Sequence, residues 1–292
     1  MIQLGISAFY HDSAACIVEN GKVIAAAEEE RFTEIKHDSS FPINAIKYCL
    51  ESTNTSIDDI SEVCWYEDPA LKRDRVEKIF SKHPLRTFFT KKRFREEFAK
   101  NKPKRLLFDL GYKGKISYTP HHESHAAFSF FTSPYKSADI LVVDGVGEWQ
   151  TVSFWKGEGK ELTLKHSYKF PNSLGMFYST MTAFLGFKPN EGEYKVMGLA
   201  PYGNPGKYFD LLKSTIELTG FKINQKFYTW EYTDKIMFNS KLAKLIDLSP
   251  RLPEEEVTQD HKDLAASTQA VYEYFFLEFV HKMKLIGKSD NL

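Results

Sequence analysis

Two stretches decide the fold: GISAFYHDSAACIVENGKVIAAAEE, residues 5–29, and LVVDGVGEWQTVSFWKGEGKELTLKHSY, residues 141–168. They share little identity but one order: apolar strand, polar turn, second strand, tight turn, third strand. In the first, Ile2 to Ser7 is apolar-rich and Ala14 to Glu19 follows a polar turn. Asn20-Gly21 then marks a two-residue hairpin before Val23 to Glu28, because both turn positions favour residues that tolerate positive φ. In the second, Ile140 to Val143 reads as a buried strand and Asp144-Gly145-Val146-Gly147 as its turn. Thr151 to Trp155 follows, Gly157-Glu158-Gly159 is again a hairpin signal, and Leu162 to Tyr168 completes the set.

Outward from these stretches the periodicity changes. Pro42 precedes a helix-like run from Ile43 to Leu50, Ile60 to Trp65 resembles another strand, and Leu264 to Lys284 has the pattern of a long helix. Residues 70–106 are charged and aromatic with helical spacing, which suggests an inserted helical segment. A three-stranded meander followed by helices, used twice, is the α/β plan of the actin/sugar-kinase-like (RNase H-like) two-lobed fold. In that plan two lobes face a cleft and the first hairpin of each grips phosphate through turn amides. The expected division is a first lobe over 1–138, with the helical insertion at 70–106, and a second lobe over 139–292.

Composition excludes more than it selects. The 292 residues carry 39 Lys plus Arg against 39 Asp plus Glu, so no global field points to nucleic acid or an anionic membrane. One basic run, Lys91 to Lys104, interleaves with Phe94 and Phe98 as an amphipathic helix would, with an anionic-ligand patch as the alternative. Cys16, Cys49 and Cys64 have no C-x-x-C spacing and form no even-numbered framework, which fits reduced thiols in the cytoplasm. No stretch approaches the ~18 consecutive apolar residues of a membrane span, and neither membrane nor nucleic acid is expected as a partner.

Chemistry concentrates in a few segments. His121-His122-Glu123-Ser124-His125 follows Pro120 and enters the helix-forming AAFSFF. His121 and His125 are four apart, so a helix places them on one face with Cβ atoms roughly 5–6 Å apart. The zincin order H-E-x-x-H is not met from either His121 or His122, which disfavours a zinc protease. Asp144, ending the next predicted strand, adds a carboxylate to the two imidazoles. That donor set suits iron, manganese or zinc and leaves positions open for a substrate oxygen or water. Gly145 and Gly147 supply backbone amides at the same place, so metal and phosphate could share it; a capped helix start and an ordinary turn Asp are the plainer alternatives.

The remaining segments are less specific alone. Tyr10-His11-Asp12-Ser13 puts an acid beside a histidine in the first turn, where the pair can orient and deprotonate a hydroxyl. Lys36, in a span of opposite charges from Glu28 to His37, could meet a phosphate or carbamoyl oxygen, though an exposed ion-pair cluster is the simpler account. The segment EGEYKVMGLAPYG, residues 191–203, offers Lys195 as a cation and Gly192, Gly198 and Gly203 for close approach. It reads equally as a loop closing over a nucleotide or as a structural loop with a short helix.

Together GISAFYHDSAACIVENG, AAAEEERFTEIKHDSSFP, HHESHAA, LVVDGVGEW and KVMGLAPYGNP span residues 5–205 in order. They resemble the amino-terminal domain of the nodulation and antibiotic-tailoring O-carbamoyltransferases, which is similar to the tRNA threonylcarbamoyladenosine transfer domain. The resemblance implies that His121, His125 and Asp144 ligate a divalent metal, with iron the expected ion. It implies that Asp12, with His11 beside it, faces the acceptor and that Lys36 contacts the nucleotide or carbamoyl group. Gly145 and Gly147 would lie against nucleotide phosphates, with Lys195 and Gly198 nearby.

The implied chemistry uses carbamoyl phosphate and ATP to make carbamoyl adenylate in a separate carboxy-terminal domain, then passes the carbamoyl group to a small-molecule hydroxyl. By that pattern the chain stops before the second lobe's final strands, its last metal-ligating Asp and the adenylate-forming domain, so it is expected to be inactive alone. A homodimer is compatible with it. The competing functions are a tRNA threonylcarbamoyladenosine-type transferase, a kinase of the same fold using Asp12 to hold magnesium, and a non-catalytic nucleotide- or metal-binding fragment. Neutral net charge weighs against the first, since RNA binding is largely electrostatic, and the histidine pair is unexplained by the second.

Overall fold

A computed structural model describes residues 1–81, 102–230 and 237–292. The chain divides into two compact units, Met1–Ser124 and His125–Leu292.

In the first unit β1 (Ile2–Ser7), β2 (Ala14–Glu19) and β3 (Lys22–Glu28) form the expected antiparallel meander. Asn20 and Gly21 both have positive φ, 52° and 81°, the backbone of a tight turn whose twist matches that of the strands. A short helix, α1 (Glu30–Thr33), and α2 (Ile43–Ser52) follow. Two further strands, β4 (Glu62–Trp65) and β5 (Lys115–Tyr118), add in parallel, giving the order β3-β2-β1-β4-β5. Between them lie α3 (Pro69–Ser81) and α4 (Lys102–Asp109). The ends of the expected 70–106 insertion are thus helical; the rest of it, with most of the basic run, lies outside the described residues.

Strand alternation sorts side chains by face. Leu4, Ile6, Ala15, Ile17, Val63 and Trp65 all turn to a core that Ala45, Ile46 and Cys49 of α2 cover. Each such aliphatic side chain contributes on the order of 1.5–3 kcal/mol when buried. The start of α2 is capped from a distance. The buried Glu29 carboxylate accepts from Asn44 N at 3.2 Å and Ala45 N at 2.9 Å, satisfying amides that no helix carbonyl can reach.

The second unit repeats the meander. After α5 (His121–Phe131) come β6 (Ser137–Val143), β7 (Gln150–Glu158) and β8 (Glu161–Lys169), antiparallel in that order. The hairpin between β7 and β8 turns on Gly159, at φ 60°. Gly157 is not part of the turn but an interior strand residue. An added Cβ there would lie 2.6 Å from the Phe130 ring, so glycine is needed for α5 to sit flat on the sheet. Ala126 and Phe130 of α5 join Ala138, Ile140, Val142 and Trp155 in one apolar cluster. The second compact unit takes in most of α5, whose Ala126 and Phe130 have their core partners in the second sheet.

The remaining helices are α6 (Leu174–Phe184), α7 (Glu193–Leu199), α8 (Phe209–Lys213), α9 (Ser240–Ile246) and α10 (Gln259–Gly287). A small ribbon, β9 (Ile216–Glu217) with β10 (Lys222–Ile223), lies between α8 and α9. In α10, Leu264, Val271, Phe275, Phe279 and Met283 are buried, and Phe279 meets the rings of Phe154 and Phe221 edge-on. The terminal residues run along β6: Asp139 N donates to Asn291 O and Ser289 N to the Asp139 carboxylate, both at 2.9 Å. Among the described residues no helix is long and apolar enough to cross a membrane.

Candidate active site

The histidine pair sits where its spacing requires. His121 opens α5 directly after Pro120, and His125 follows one turn later on the same face. Asp144 stands just past the end of β6. One ligating atom from each of these three residues lies within 4.8 Å of the others. His121 is held from the side by the Tyr66 ring, 5.5 Å away and nearly perpendicular, while Ser124 Oγ donates to Tyr66 O at 3.0 Å. Two imidazoles and one carboxylate so close together fit a divalent transition ion, which takes such donors at about 2.0–2.2 Å.

The turn after β6 is built from outside itself. Gly145 N donates to Asp144 Oδ1 at 2.6 Å, and Gly147 N donates to Gln150 O at 2.9 Å. Ser173, the N-cap of α6, accepts from Met176 N and donates to Gly145 O at 2.6 Å. Gly175 lies against the same peptide: a Cβ there would be 2.7 Å from Asp144 O and Gly145 N. Ser173 and Gly175 therefore hold the Asp144–Gly145 peptide from which the Asp144 side chain projects. Sequence reasoning missed both, although the Ser173 N-cap signal before an apolar run was available.

Lys195 and Gly198 lie on α7, exposed. Lys195 Nζ is 5.8 Å from the Phe187 ring centre, and Ser179 Oγ donates to Glu193 at 2.6 Å, so α7 is tied to α6. The neighbouring glycines have packing reasons: a Cβ at Gly192 would meet Lys188 O at 2.9 Å, and one at Gly203 would meet Lys262 O of α10 at 2.0 Å. Gly198 has open space around it. The structural-loop reading is thus sufficient for Gly192 and Gly203.

In the first unit the turn after β1 is shaped by left-handed residues, Phe9 at φ 76° and Asp12 at φ 49°. Non-glycine residues keep such backbone only where surroundings over-determine it. Here Phe9 N donates to Ser39 O at 3.0 Å and Ser13 N to Asp38 O at 2.8 Å, stitching the turn to the loop before α2. Asp12 lies 2.7 Å from His11 Nδ1 and 2.8 Å from His37 Nδ1. Burial pushes its pKa up, but hydrogen bonds from His37 and His11 outweigh that and leave it below the usual value. Glu30 comes close to Asp12 and His37 as well, accepting from His37 N at 2.9 Å. Lys36 is exposed beside His37. Sequence reasoning singled out Lys36 and passed over His37, whose bond to Asp12 spans 25 positions.

Against known proteins, the sequence profile described as Carbamoyltransferase N-terminus matches residues 2–292. The chain belongs to that family. An uncharacterized protein of Synechocystis, sll1178, is 43% identical over 92% of this chain and 46% of its own length. The nodulation protein NolNO of Sinorhizobium fredii is 33% identical over 91% of this chain and 37% of its own length. This member of the carbamoyltransferase family therefore spans less than half the length of these two relatives. Among solved structures, component A of the Acidaminococcus fermentans (R)-2-hydroxyglutaryl-CoA dehydratase is 12% identical over 94% of this chain and 99% of that one. Its TM-score is 0.37, too loose a match to bear on chemistry.

Proposed function

We propose that this chain is the transfer half of an O-carbamoyltransferase: it takes carbamoyl adenylate, formed from carbamoyl phosphate and ATP, and moves the carbamoyl group to a hydroxyl of a small molecule. One observation carries the proposal. In a chain of the carbamoyltransferase N-terminal family, His121, His125 and Asp144 bring their ligating atoms within 4.8 Å beside a turn of glycine amides.

These three residues would hold the metal, with iron the expected ion, and a divalent ion there supplies Lewis-acid polarisation of a phosphoryl or carbonyl oxygen. The turn at Gly145 and Gly147, where the lack of side chains permits close approach, is assigned to the nucleotide phosphates, and Lys195 and Gly198 to its periphery. His11 and Asp12 are assigned to the acceptor hydroxyl, where removing a proton as the oxygen attacks lowers the barrier; Lys36 is assigned to the carbamoyl or nucleotide group.

The gene product in its full encoded length, given carbamoyl phosphate, ATP and a panel of small alcohols, should release pyrophosphate and esterify one alcohol as a carbamate. ADP release with a phosphorylated alcohol would replace carbamoyl transfer by kinase chemistry.

A further inference from the structure

β1, β4 and β5 run parallel, so their carboxyl ends lie along one edge of the first sheet, where the register sets Ile6, Trp65 and Tyr118 side by side. From that edge β1 leads into the turn that carries His11 and Asp12, and β5 leads through Pro120 into the start of α5 at His121. β4 is the middle strand of the three. The residue that follows it, Tyr66, therefore lies between the two segments to which different halves of the chemistry are assigned.

Tyr66 is bonded to both. On the β1 side its amide donates to Ile6 O at 3.2 Å and its hydroxyl to Ala8 O at 3.1 Å. On the α5 side its carbonyl accepts from Ser124 Oγ at 3.0 Å, and its ring stands 5.5 Å from that of His121 at 71°. That is the edge-to-face arrangement aromatic pairs favour. Ala8 is buried and directly precedes Phe9, the left-handed residue at which the turn departs. A buried carbonyl that loses its donor must find another, so the phenol fixes the peptide plane from which the turn starts. At the other end, a ligating imidazole needs its ring plane held as well as its backbone, and neighbours that do not touch the ion supply that hold.

We infer that Tyr66 is a positioning residue shared by the two segments: its hydroxyl sets the turn after β1 through Ala8, and its ring sets the imidazole plane of His121. The two roles rest on the proposed carbamoyl transfer, which puts the acceptor at one segment and the ion at the other.

Two substitutions take the roles apart. Tyr66→Phe keeps the ring and removes the hydroxyl; Tyr66→Leu removes both. In the gene product at its full encoded length, amide exchange over residues 8–13 should quicken at least about 5-fold in both variants, while β6 to β8 exchange as in the wild type. The ring resonances of His121 should move in Tyr66→Leu alone. Cobalt(II) added to metal-free protein should bind Tyr66→Phe as it binds the wild type, and Tyr66→Leu about 10-fold more weakly with a displaced visible absorption band. In the transfer assay at saturating metal, Tyr66→Phe should lower kcat about 10-fold. Wild-type exchange over 8–13 in Tyr66→Phe overturns the hold on the turn. A His121 resonance and a cobalt affinity indifferent to Tyr66→Leu overturn the hold on the histidine, and equal loss of cobalt in both variants overturns the division between ring and hydroxyl. If the wild type transfers no carbamoyl group the functional proposal fails instead, and the exchange rates and His121 resonances still decide what Tyr66 holds.

Discussion

The turns that follow β1 and β6 occupy the same place in the two meanders, yet they are made of different material. After β1 the chain spends ordinary residues on left-handed backbone, Phe9 and Asp12, and surrounds the carboxylate with imidazoles. After β6 it uses glycine, and one ligating atom of the aspartate there lies within 4.8 Å of those of two histidines on a preceding helix. The bracing differs too: the loop before α2 secures the first turn, and the N-cap of α6 secures the second. One topological position thus serves two chemistries. A carboxylate already bonded to two Nδ1 atoms is suited to handling protons, whereas a carboxylate beside an imidazole pair is suited to cations.

That contrast can be broken by exchanging losses. Asp12→Asn should slow carbamoyl transfer by roughly 10²- to 10⁴-fold while bound metal, measured by elemental analysis, stays at the wild-type level. Loss of metal in the same variant would mean that the two turns are not separate devices. His125→Ala should do the reverse at the level of the ion, removing one of three donors and weakening metal retention at least about 10-fold; unchanged metal content would end the ligand assignment. Gly175→Ala sharpens the comparison more gently. The added methyl is directed at the Asp144–Gly145 peptide, so the turn must shift, at a cost of about 1–3 kcal/mol in unfolding free energy. Metal affinity should fall with it.

The meanders were legible because their signals are local. Asn20-Gly21 states its turn type within two residues, and the alternation of Leu4, Ile6, Ala15 and Ile17 states which face is buried. The histidine pair was equally readable, since a helix converts a spacing of four into a shared face. What escaped depended on contacts between distant segments. His37 differs from Lys36 by one position, but only the folded loop shows that His37 turns to Asp12. Gly157 looked like part of a turn because turn glycines and packing glycines are alike in sequence; the Phe130 ring against it supplies the distinction. Gly203 was similarly open to a nucleotide role until α10 was seen to pass beside it.

That contact at Gly157 has a further meaning. A helix lying on a sheet can in principle slide or roll, and a slip of one residue would rotate every side chain by about 100°, carrying His125 away from Asp144. The Phe130 ring resting in the notch left by Gly157 gives α5 an index mark on the strand beneath it. The register of the ligand pair is therefore constrained from five residues beyond His125, by a residue pair with no metal-binding side chain. A change at that notch would rewrite which side chains meet at the end of β6 without altering any of them.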